Sequence, residues 1–189
     1  MIGAPSSPPL TVVKLGGSLL EAGRAKRWLA HWAAPTGAPV VVVPGGGVFA
    51  DAVRDAQPRL GFDDGAAHAM AVLAMAQTAM VFHSWCPAWT LGHGVDALRR
   101  LAAQRRPALW CPTVLPDTPV GWHVTSDSLA AWLAAQLGAQ RLVLVKSVAA
   151  PAGSGPAQWQ AAGWVDAAFA EHAARFAGDV ALLRWDAAF

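Results

Sequence analysis

Cysteine is scarce in this sequence of 189 residues, which contains only Cys86 and Cys111. The two cysteines lie far apart, and the chain has no CxxC pair and no Cys/His ligand spacing, which argues against a zinc site. A chain with so little cysteine is expected in a reducing compartment. We therefore expect a cytoplasmic protein without a structural metal.

Charge of either sign is also scarce, at 14% of residues, and the formal net charge is only +2. The basic residues are scattered along the chain, so the sequence predicts no nucleic-acid partner. Hydrophobic residues make up 54% of the chain, which is typical of a compact globular protein. At this length we expect one domain with a substantial core.

Long uninterrupted apolar runs are missing as well. The longest apolar stretch, residues 66–82, is broken by polar side chains and predicts a buried helix instead of a membrane span. Residues 1–9 have neither the basic nor the apolar region of a signal peptide. We expect them to form a flexible N-terminus ahead of a single domain over residues 10–189, with no membrane partner.

What the sequence does contain is an alternation of strand and helix patterns. Short runs rich in valine and leucine are typical of strands buried on both faces, as in parallel sheets, and the alternation predicts an α/β fold. The predicted strands cover residues 10–15, 40–43, 85–89, 108–111, 142–145 and 180–183. The predicted helices cover residues 21–33, 48–56, 63–82, 95–104, 126–137 and 165–176, with irregular chain over 113–124 and 149–163.

Lysines stand at the ends of two of these strands. Lys14 follows an apolar, β-branched run, and Lys146 follows four apolar residues. A lysine beside a buried strand is costly unless its charge has a partner. Ligands of parallel α/β sheets collect at the carboxyl edge of the strands. We therefore expect both lysines to face a phosphate there.

Glycine loops follow the first two predicted strands, as Gly16-Gly17-Ser18 and as Gly45-Gly46-Gly47. Glycine lets the backbone approach a phosphate closely, and the free N–H groups of such turns bind its oxygens. The second loop also fits a dinucleotide fingerprint that ends at Ala50, but the residues before Asp63 and Asp64 do not form the strand that this fingerprint requires. A kinase is therefore preferred to a nicotinamide enzyme, and the P-loop motif is absent.

Two further candidates each have a structural alternative. Asp127 lies in Thr125-Ser126-Asp127-Ser128, and residues of these types commonly begin a helix, so Asp127 either caps a helix or orients lysines around a phosphoryl group. His68 shares a predicted helix face with Val72 and Met75. That position suits a packed core histidine as well as a substrate ligand.

In their order along the chain, these motifs resemble the amino acid kinase superfamily, which includes aspartate, acetylglutamate and uridylate kinases. The matching segments are residues 13–18, 44–47, 125–130 and 144–148. Residues 68–77 and 122–127 are similar to a short branch found with genes for methanofuran and tetrahydromethanopterin cofactors. The activity described for that branch converts an aminomethyl-furanmethyl phosphate to its diphosphate.

The resemblance implies a three-layer αβα sandwich with a mostly parallel sheet, an acceptor-binding N-terminal part and a nucleotide-binding C-terminal part. It also implies transfer of the γ-phosphoryl group of ATP, with Mg²⁺, to a phosphate or carboxylate of a small anionic metabolite. The implied catalytic residues are Lys14, Asp127 and Lys146. ATP would contact Gly16, Gly17, Ser18, Lys146 and Ser147, and the acceptor would contact Gly45, Gly46, Gly47, His68 and Ser126.

The chain departs from the wider family at Lys146-Ser147, where many members have a Ser/Thr-Asp pair. The usual second phosphate lysine is missing from the segment that follows, so Lys146, Arg175 or Arg184 is expected to supply its charge. An ammonium group on the acceptor would have Asp63, Asp64 and Asp117 as candidate partners.

Two other functions stay open on the sequence alone. One is a non-catalytic nucleotide-binding, anion-binding or storage protein on the same fold, and the other is a nicotinamide-dependent oxidoreductase that uses residues 45–50. Tryptophans at positions 28, 32 and 132 lie on apolar helices. They predict a homo-oligomer, because aromatic residues concentrate in interfaces.

Overall fold

The computed structural model describes residues 8–20, 23–33 and 38–188, which form one six-stranded sheet covered by helices. The strands are β1 (Thr11–Leu15), β2 (Val40–Pro44), β3 (Thr90–Gly92), β4 (Ala108–Trp110), β5 (Arg141–Lys146) and β6 (Asp179–Arg184). The helices are α1 (Arg24–Ala33), α2 (Gly47–Leu60), α3 (Asp64–Trp85), α4 (Val95–Ala103), α5 (Ser126–Leu137), α6 (Pro156–Ala161) and α7 (Phe169–Ala174). A short 3₁₀ turn (Gly17–Leu19) follows β1.

All neighbouring strands run parallel, in the order β3-β4-β2-β1-β5-β6. Successive side chains of a strand point to opposite faces of a sheet. Val13 and Val42 accordingly pack on the side of α1 and the C-terminal half of α3, whereas Val12 and Val41 pack on the side of α4, α5 and α7. The sheet separates two apolar cores, and the three-layer αβα sandwich predicted from the resemblance is confirmed.

The first half of the chain corrects two predicted boundaries. No strand covers residues 85–89, because α3 continues to Trp85 and the backbone N–H of Cys86 still donates to Phe82, so that β3 begins only at Thr90. Helix α2 does not end before Pro58 but continues to Leu60. Proline in the last turn removes one helical hydrogen bond, and the helix then ends at Gly61 in the left-handed conformation.

The second half of the chain corrects two more predicted boundaries. The loop predicted over residues 149–163 contains α6, which begins with Pro156 at a position where the missing proline N–H costs nothing. The helix predicted over residues 165–176 is shorter, because the side chain of Asp166 is engaged elsewhere, as described below, and α7 begins only at Phe169. Residues 1–7, 21–22, 34–37 and 189 lie outside the described residues, and with them most of the predicted flexible N-terminus and the predicted start of the first helix.

Helix α3 is long and apolar enough to cross a membrane by length and composition, but half of its apolar window is buried inside the protein, so this is weak evidence for a span.

Trp28 lies in the core and is 1% exposed. Trp28 was expected at an oligomer interface, and that expectation is wrong. Trp32 and Trp132 are partly buried, and a homo-oligomer stays a prediction.

Candidate active site

The two strand-end lysines converge because of strand register. Lys14 of β1 lies beside Leu144 of β5, and Lys146 follows two residues further along β5. Residues two apart on a strand share a face. That face is the one covered by α5, so both ammonium groups approach the N-terminal turn of this helix.

Asp127, in the first turn of α5, joins the two lysines. Nζ of Lys146 donates a hydrogen bond to Oδ2 of Asp127 over 2.7 Å. Nζ of Lys14 lies 2.7 Å from Oδ1, at ion-pair distance but without the angles of a hydrogen bond. The side chains of Lys14 and Asp127 are 4% and 5% exposed, and that of Lys146 is 18% exposed. We call these three residues the Lys–Asp–Lys bridge.

The electrostatics of the bridge leave a surplus of positive charge. Burial alone would raise the pKa of the Asp127 carboxyl, but the charges of Lys14 and Lys146 outweigh it and hold this pKa below its usual range. Burial and the charge of Lys14 lower the pKa of Lys146 to about 8, although Asp127 opposes the shift. Two cations share one carboxylate, so the bridge favours a further anion.

Asp166 fixes the N-terminal turn of α5 from a distant part of the chain. Its Oδ2 accepts hydrogen bonds from the backbone N–H groups of Thr125 and Ser128, at 2.9 and 3.0 Å, and from the Thr125 hydroxyl at 2.8 Å. Its Oδ1 accepts from the Ser128 hydroxyl. Free N–H groups at a helix start need such acceptors. Asp166 therefore holds the turn that carries Asp127.

The two glycine loops pack directly on each other. A Cβ atom on Gly17 would lie 2.4 Å from the backbone nitrogen of Gly47, and one on Gly45 would lie 2.5 Å from that of Gly17. Gly47 also has a φ of +53°, a left-handed conformation that side chains rarely adopt. Glycine at these positions brings the ends of β1 and β2 into contact without intervening side chains.

Two clefts open at this carboxyl edge of the sheet, and both are lined by Gly17 and Ser18. The small cleft, of about 230 Å³, is also lined by Lys14, Lys146 and Ser147. The large cleft, of about 420 Å³, continues along α2 and α3. The predicted site residues that line the small cleft are Lys14, Gly16, Gly17, Ser18, Lys146 and Ser147. Those that line the large cleft are Gly17, Ser18, Gly45, Gly46, Gly47, His68 and Ser126.

Other predicted candidates lie away from both clefts. Arg175 sits beside Gly138 and Asp179, at the opposite edge of the sheet, and pairs with Glu171. Arg184 lies next to Lys146 in register but is engaged by Asp186. Lys146 is therefore the candidate that meets Asp127 and the small cleft, and the alternatives Arg175 and Arg184 do not line it.

The carboxylates suggested for an ammonium group are also elsewhere. Asp63 caps α3 by accepting from the N–H of Ala66, and Asp64 accepts from Gln57. Asp117 is exposed in a loop and lines neither cleft. The large cleft is instead lined by Asp51, at ion-pair distance from Arg54. Among the described residues, no group of three or more His, Cys, Asp or Glu side chains is placed to hold a metal.

Three residues of this region were missed by sequence reasoning: Asp166, Arg54 and Trp122. The Arg54 guanidinium lies 4.4 Å from the centre of the Trp122 ring, and the indole N–H of Trp122 donates to Gln57 at 2.7 Å. The sequence does contain a signal for Arg54, namely its spacing from the glycine loop. It follows Gly47 by seven residues and so lies about two turns along the same helix. Asp166 has none, because only the fold brings it to α5.

The nicotinamide alternative lacks its second half in this structure. After the glycine loop the chain forms α2 and then α3 directly, so no strand follows with an acid at its end. Asp63 lies at a helix start instead. The fingerprint at residues 45–50 is therefore not followed by the strand-end acid that binds the ribose in dinucleotide-binding enzymes.

A parallel α/β sheet with glycine loops and a cationic bridge at its carboxyl edge is the arrangement found in α/β proteins that bind phosphate. The chain belongs to the amino acid kinase family, whose model matches residues 9–150. The family assignment expected from the motifs is thus confirmed.

Individual relatives agree with this assignment. The chain is 26% identical over 141 residues to the [5-(aminomethyl)furan-3-yl]methyl phosphate kinase of Methanocaldococcus jannaschii, an alignment that covers 72% of this chain and 65% of that protein. The uridylate kinase of Archaeoglobus fulgidus has a similar structure, with a TM-score of 0.70, 19% identity and coverage of 92% and 90% of the two chains. The UMP kinase of Bacillus anthracis superposes with a TM-score of 0.72, at 12% identity and with coverage of 95% and 89%.

Proposed function

We propose that the protein is an ATP-dependent kinase that transfers a γ-phosphoryl group to a phosphate or carboxylate oxygen of a small anionic metabolite. The observation that carries this proposal is that the Lys–Asp–Lys bridge borders the small cleft through Lys14 and Lys146, and that this cleft shares Gly17 and Ser18 with the large cleft. A transferring phosphoryl group needs a donor site and an acceptor site that meet at one point.

In this proposal the small cleft holds the ATP phosphates through Gly16, Gly17, Ser18, Lys146 and Ser147. The large cleft holds the acceptor through Gly45, Gly46, Gly47, His68 and Ser126. The N-terminal part of the single domain would then bind mostly acceptor and the C-terminal part mostly nucleotide. Mg²⁺ would arrive with ATP, since this ion is commonly held by substrate phosphates and water with few protein ligands.

The chemistry asks little of the protein beyond position and charge. An acceptor oxygen forms a bond to the γ-phosphorus while the bond to the β,γ-bridging oxygen breaks and ADP leaves. Lys14 lines the small cleft beside the glycines that both clefts share. It would neutralise the charge of the transferring group, and Lys146 that of the ATP phosphates. Asp127 would orient both ammonium groups. An acceptor that is already an anion needs no general base.

The acceptor proposed first is an aminomethyl-furanmethyl phosphate, with its diphosphate as product. The support is the similarity to the M. jannaschii enzyme named for that substrate, although the alignment spans less than two thirds of that protein. A cytoplasmic location is part of the proposal, because ATP and phosphorylated metabolites are found there. A screen of phosphate and carboxylate acceptors with purified protein, read out by ADP formation, tests the acceptor.

Replacement of Lys14 tests the site. Lys14→Met keeps most of the packing of this buried stem but removes the charge, and it should lower phosphoryl transfer by about 10²–10³. Lys26→Met is the matched control, since Lys26 is exposed and lies away from both clefts. Near-normal turnover of a folded Lys14→Met protein would disprove the assignment.

Ligand-induced stabilisation separates the remaining alternatives. Mg-ATP at about a hundred times its dissociation constant should add roughly 2.7 kcal/mol to the free energy of unfolding. Stabilisation by ATP without turnover of any acceptor would favour the non-catalytic binding or storage protein. A rise of NADH fluorescence on mixing, without an effect of ATP, would favour the oxidoreductase.

A further inference from the structure

The large cleft has two chemically different ends. Its proximal end is the glycine loop at Gly45–Gly47, and its distal end is formed by His68, Gly121, Trp122 and Arg54. Gly46 packs near Ala74 and accepts a hydrogen bond from Thr78, so the proximal end lies beside the middle of α3. His68 is six residues, or about 9 Å, nearer to the start of the same helix.

Helix α2 gives a similar separation between the two ends of the large cleft. This helix begins at Gly47, and Arg54 is seven residues along it, which corresponds to about 10 Å. Between the two ends the cleft is lined by Val72 and Met75 of α3 and Leu129 of α5, together with the polar Thr125 and Ser126. A ligand that fills the cleft is thus an elongated molecule.

His68 is the buried polar group of the distal end. The residue is 5% exposed, and Nε2 has no hydrogen-bond partner among the described residues. Its other ring nitrogen, Nδ1, lies 3.4 Å from both the nitrogen and the carbonyl oxygen of Gly121. A buried polar atom without a partner is unusual and costs stability, so its occurrence at a cleft points to a ligand.

Gly121 determines which nitrogen of His68 carries the proton. The Gly121 carbonyl already accepts a hydrogen bond from the N–H of Val124 at 3.2 Å. The N–H of Gly121 has no acceptor other than Nδ1 among the described residues. A backbone N–H can only donate, so Nδ1 is the acceptor and the neutral ring carries its hydrogen on Nε2. The unpaired atom is therefore a donor.

We infer that His68 is a specificity-determining residue, whose Nε2–H donates a hydrogen bond to a lone-pair oxygen of the acceptor outside its phosphate group. The inference rests on the proposed function, because it treats the large cleft as the acceptor site. The substrate class is an elongated phosphate monoester that carries such an oxygen in a ring, hydroxyl or carbonyl group. This oxygen lies toward the distal end of the cleft, away from Gly45–Gly47.

Three variants of one residue test the inference. His68→Leu removes the donor and should raise the KM of the acceptor about tenfold, while the KM of ATP stays unchanged. His68→Gln places an amide N–H near the position of Nε2 and should restore most of the affinity. His68→Asn places its amide near the position of Nδ1, where it can bond Gly121 but not the acceptor, and should behave like His68→Leu.

A purely structural role for His68 gives the opposite order. If the histidine serves only to hold Gly121, His68→Asn rescues the acceptor KM and His68→Gln does not, and the inference is overturned. An equal acceptor KM in the wild type and His68→Leu overturns it as well.

Acceptor analogues keep the test valid if His68→Leu does not fold. An analogue with methylene in place of the accepting oxygen should bind the wild type about tenfold more weakly than its parent does. His68→Asn should not distinguish the two. Equal binding of both analogues by the wild type would contradict the inference. Failure of the proposed function is a separate result, recognised by the absence of ADP formation in the wild-type protein with every acceptor.

Discussion

The ammonium group of Lys14 lies 2.7 Å from Oδ1 of Asp127, and both side chains are at least 95% buried. This ion pair connects the central strand of the sheet to the first turn of α5. The second oxygen of the same carboxylate is bonded to Lys146. The bridge therefore places the positive charges at the ends of two strands at one point, and its parts can be tested separately.

Replacement of Asp127 should destabilise the protein. Asp127→Asn leaves Lys14 buried without a counter-charge, which should cost about 3–5 kcal/mol of the free energy of unfolding, measured by urea denaturation. Asp96→Asn is the control, because Asp96 pairs with Arg99 at the surface with its side chain 81% exposed, and its loss should cost at most about 1 kcal/mol.

The same variant should respond to anions. Inorganic phosphate can supply the missing negative charge, so we expect it to raise the midpoint of urea unfolding more for Asp127→Asn than for the wild type. An equal effect of phosphate on both proteins would show that the bridge does not face the anion site.

The pH dependence of kcat/KM for ATP should report Lys146. Its pKa is lowered to about 8, so the charged form that attracts phosphate is present below this pH and is lost above it. kcat/KM reflects the free enzyme and should fall as pH rises through about 8. Lys146→Arg keeps its charge throughout and should shift this fall to much higher pH. An unchanged alkaline limb in Lys146→Arg would assign the titration to another group.

The titration of Lys146 should also affect the stability of the protein, and in the opposite direction to its effect on kcat/KM. Between about pH 8 and the ordinary lysine pKa, Lys146 stays protonated in the unfolded chain but not in the folded one. The unfolded state binds more protons there, so this group makes the free energy of unfolding rise with pH. The contribution of Lys146 is the difference in the free energy of unfolding between wild type and Lys146→Met. Urea unfolding from about pH 7 to about pH 10 measures it.

A methyl group on Gly17 should disrupt the contact between the glycine loops. The added Cβ of Gly17→Ala meets the backbone of Gly47 at 2.4 Å, so the loops must separate, at a cost of about 1–3 kcal/mol and with a large loss of phosphoryl transfer. Gly94→Ala is the control, because its Cβ would meet nothing within 4 Å on extended backbone. Thermal unfolding and ADP formation, measured on both variants, make the comparison. Full activity in Gly17→Ala would mean that close approach of the two loops is not required.

Loss of Asp166 should act on the site through α5. Asp166→Ala leaves the N–H groups of Thr125 and Ser128 without their acceptor, and we expect about 2–3 kcal/mol of destabilisation together with lower kcat. Asp117→Ala, at an exposed loop position, provides the matched control for a lost carboxylate. Unchanged kcat in Asp166→Ala, despite the lower stability, would separate the N-terminal turn of α5 from the chemistry.

Local patterns were sufficient for much of the fold. The valine-rich runs at β1, β2 and β5 and the glycine loops after the first two strands fall where the sequence predicts them, because a strand buried on both faces requires continuous apolar residues. Predictions failed where local signals were weak, as at residues 85–89, or where a long-range contact decided the outcome. Asp166 is the clearest example, since its bonds to Thr125 and Ser128 keep it out of the helix predicted around it.

The sequence by itself determined the α/β class, the two lysines at strand ends and the glycine loops, because each of these follows from residues that are neighbours in the chain. Only the tertiary structure decided that Lys14 and Lys146 share one carboxylate, since strand register brings them to the same face and α5 brings Asp127 there. It also decided that His68 has an unpaired nitrogen at a cleft, because the acceptor for Gly121 lies on a helix far away in sequence. Contacts between distant residues depend on how helices pack across the sheet, and that packing is not encoded in any local pattern.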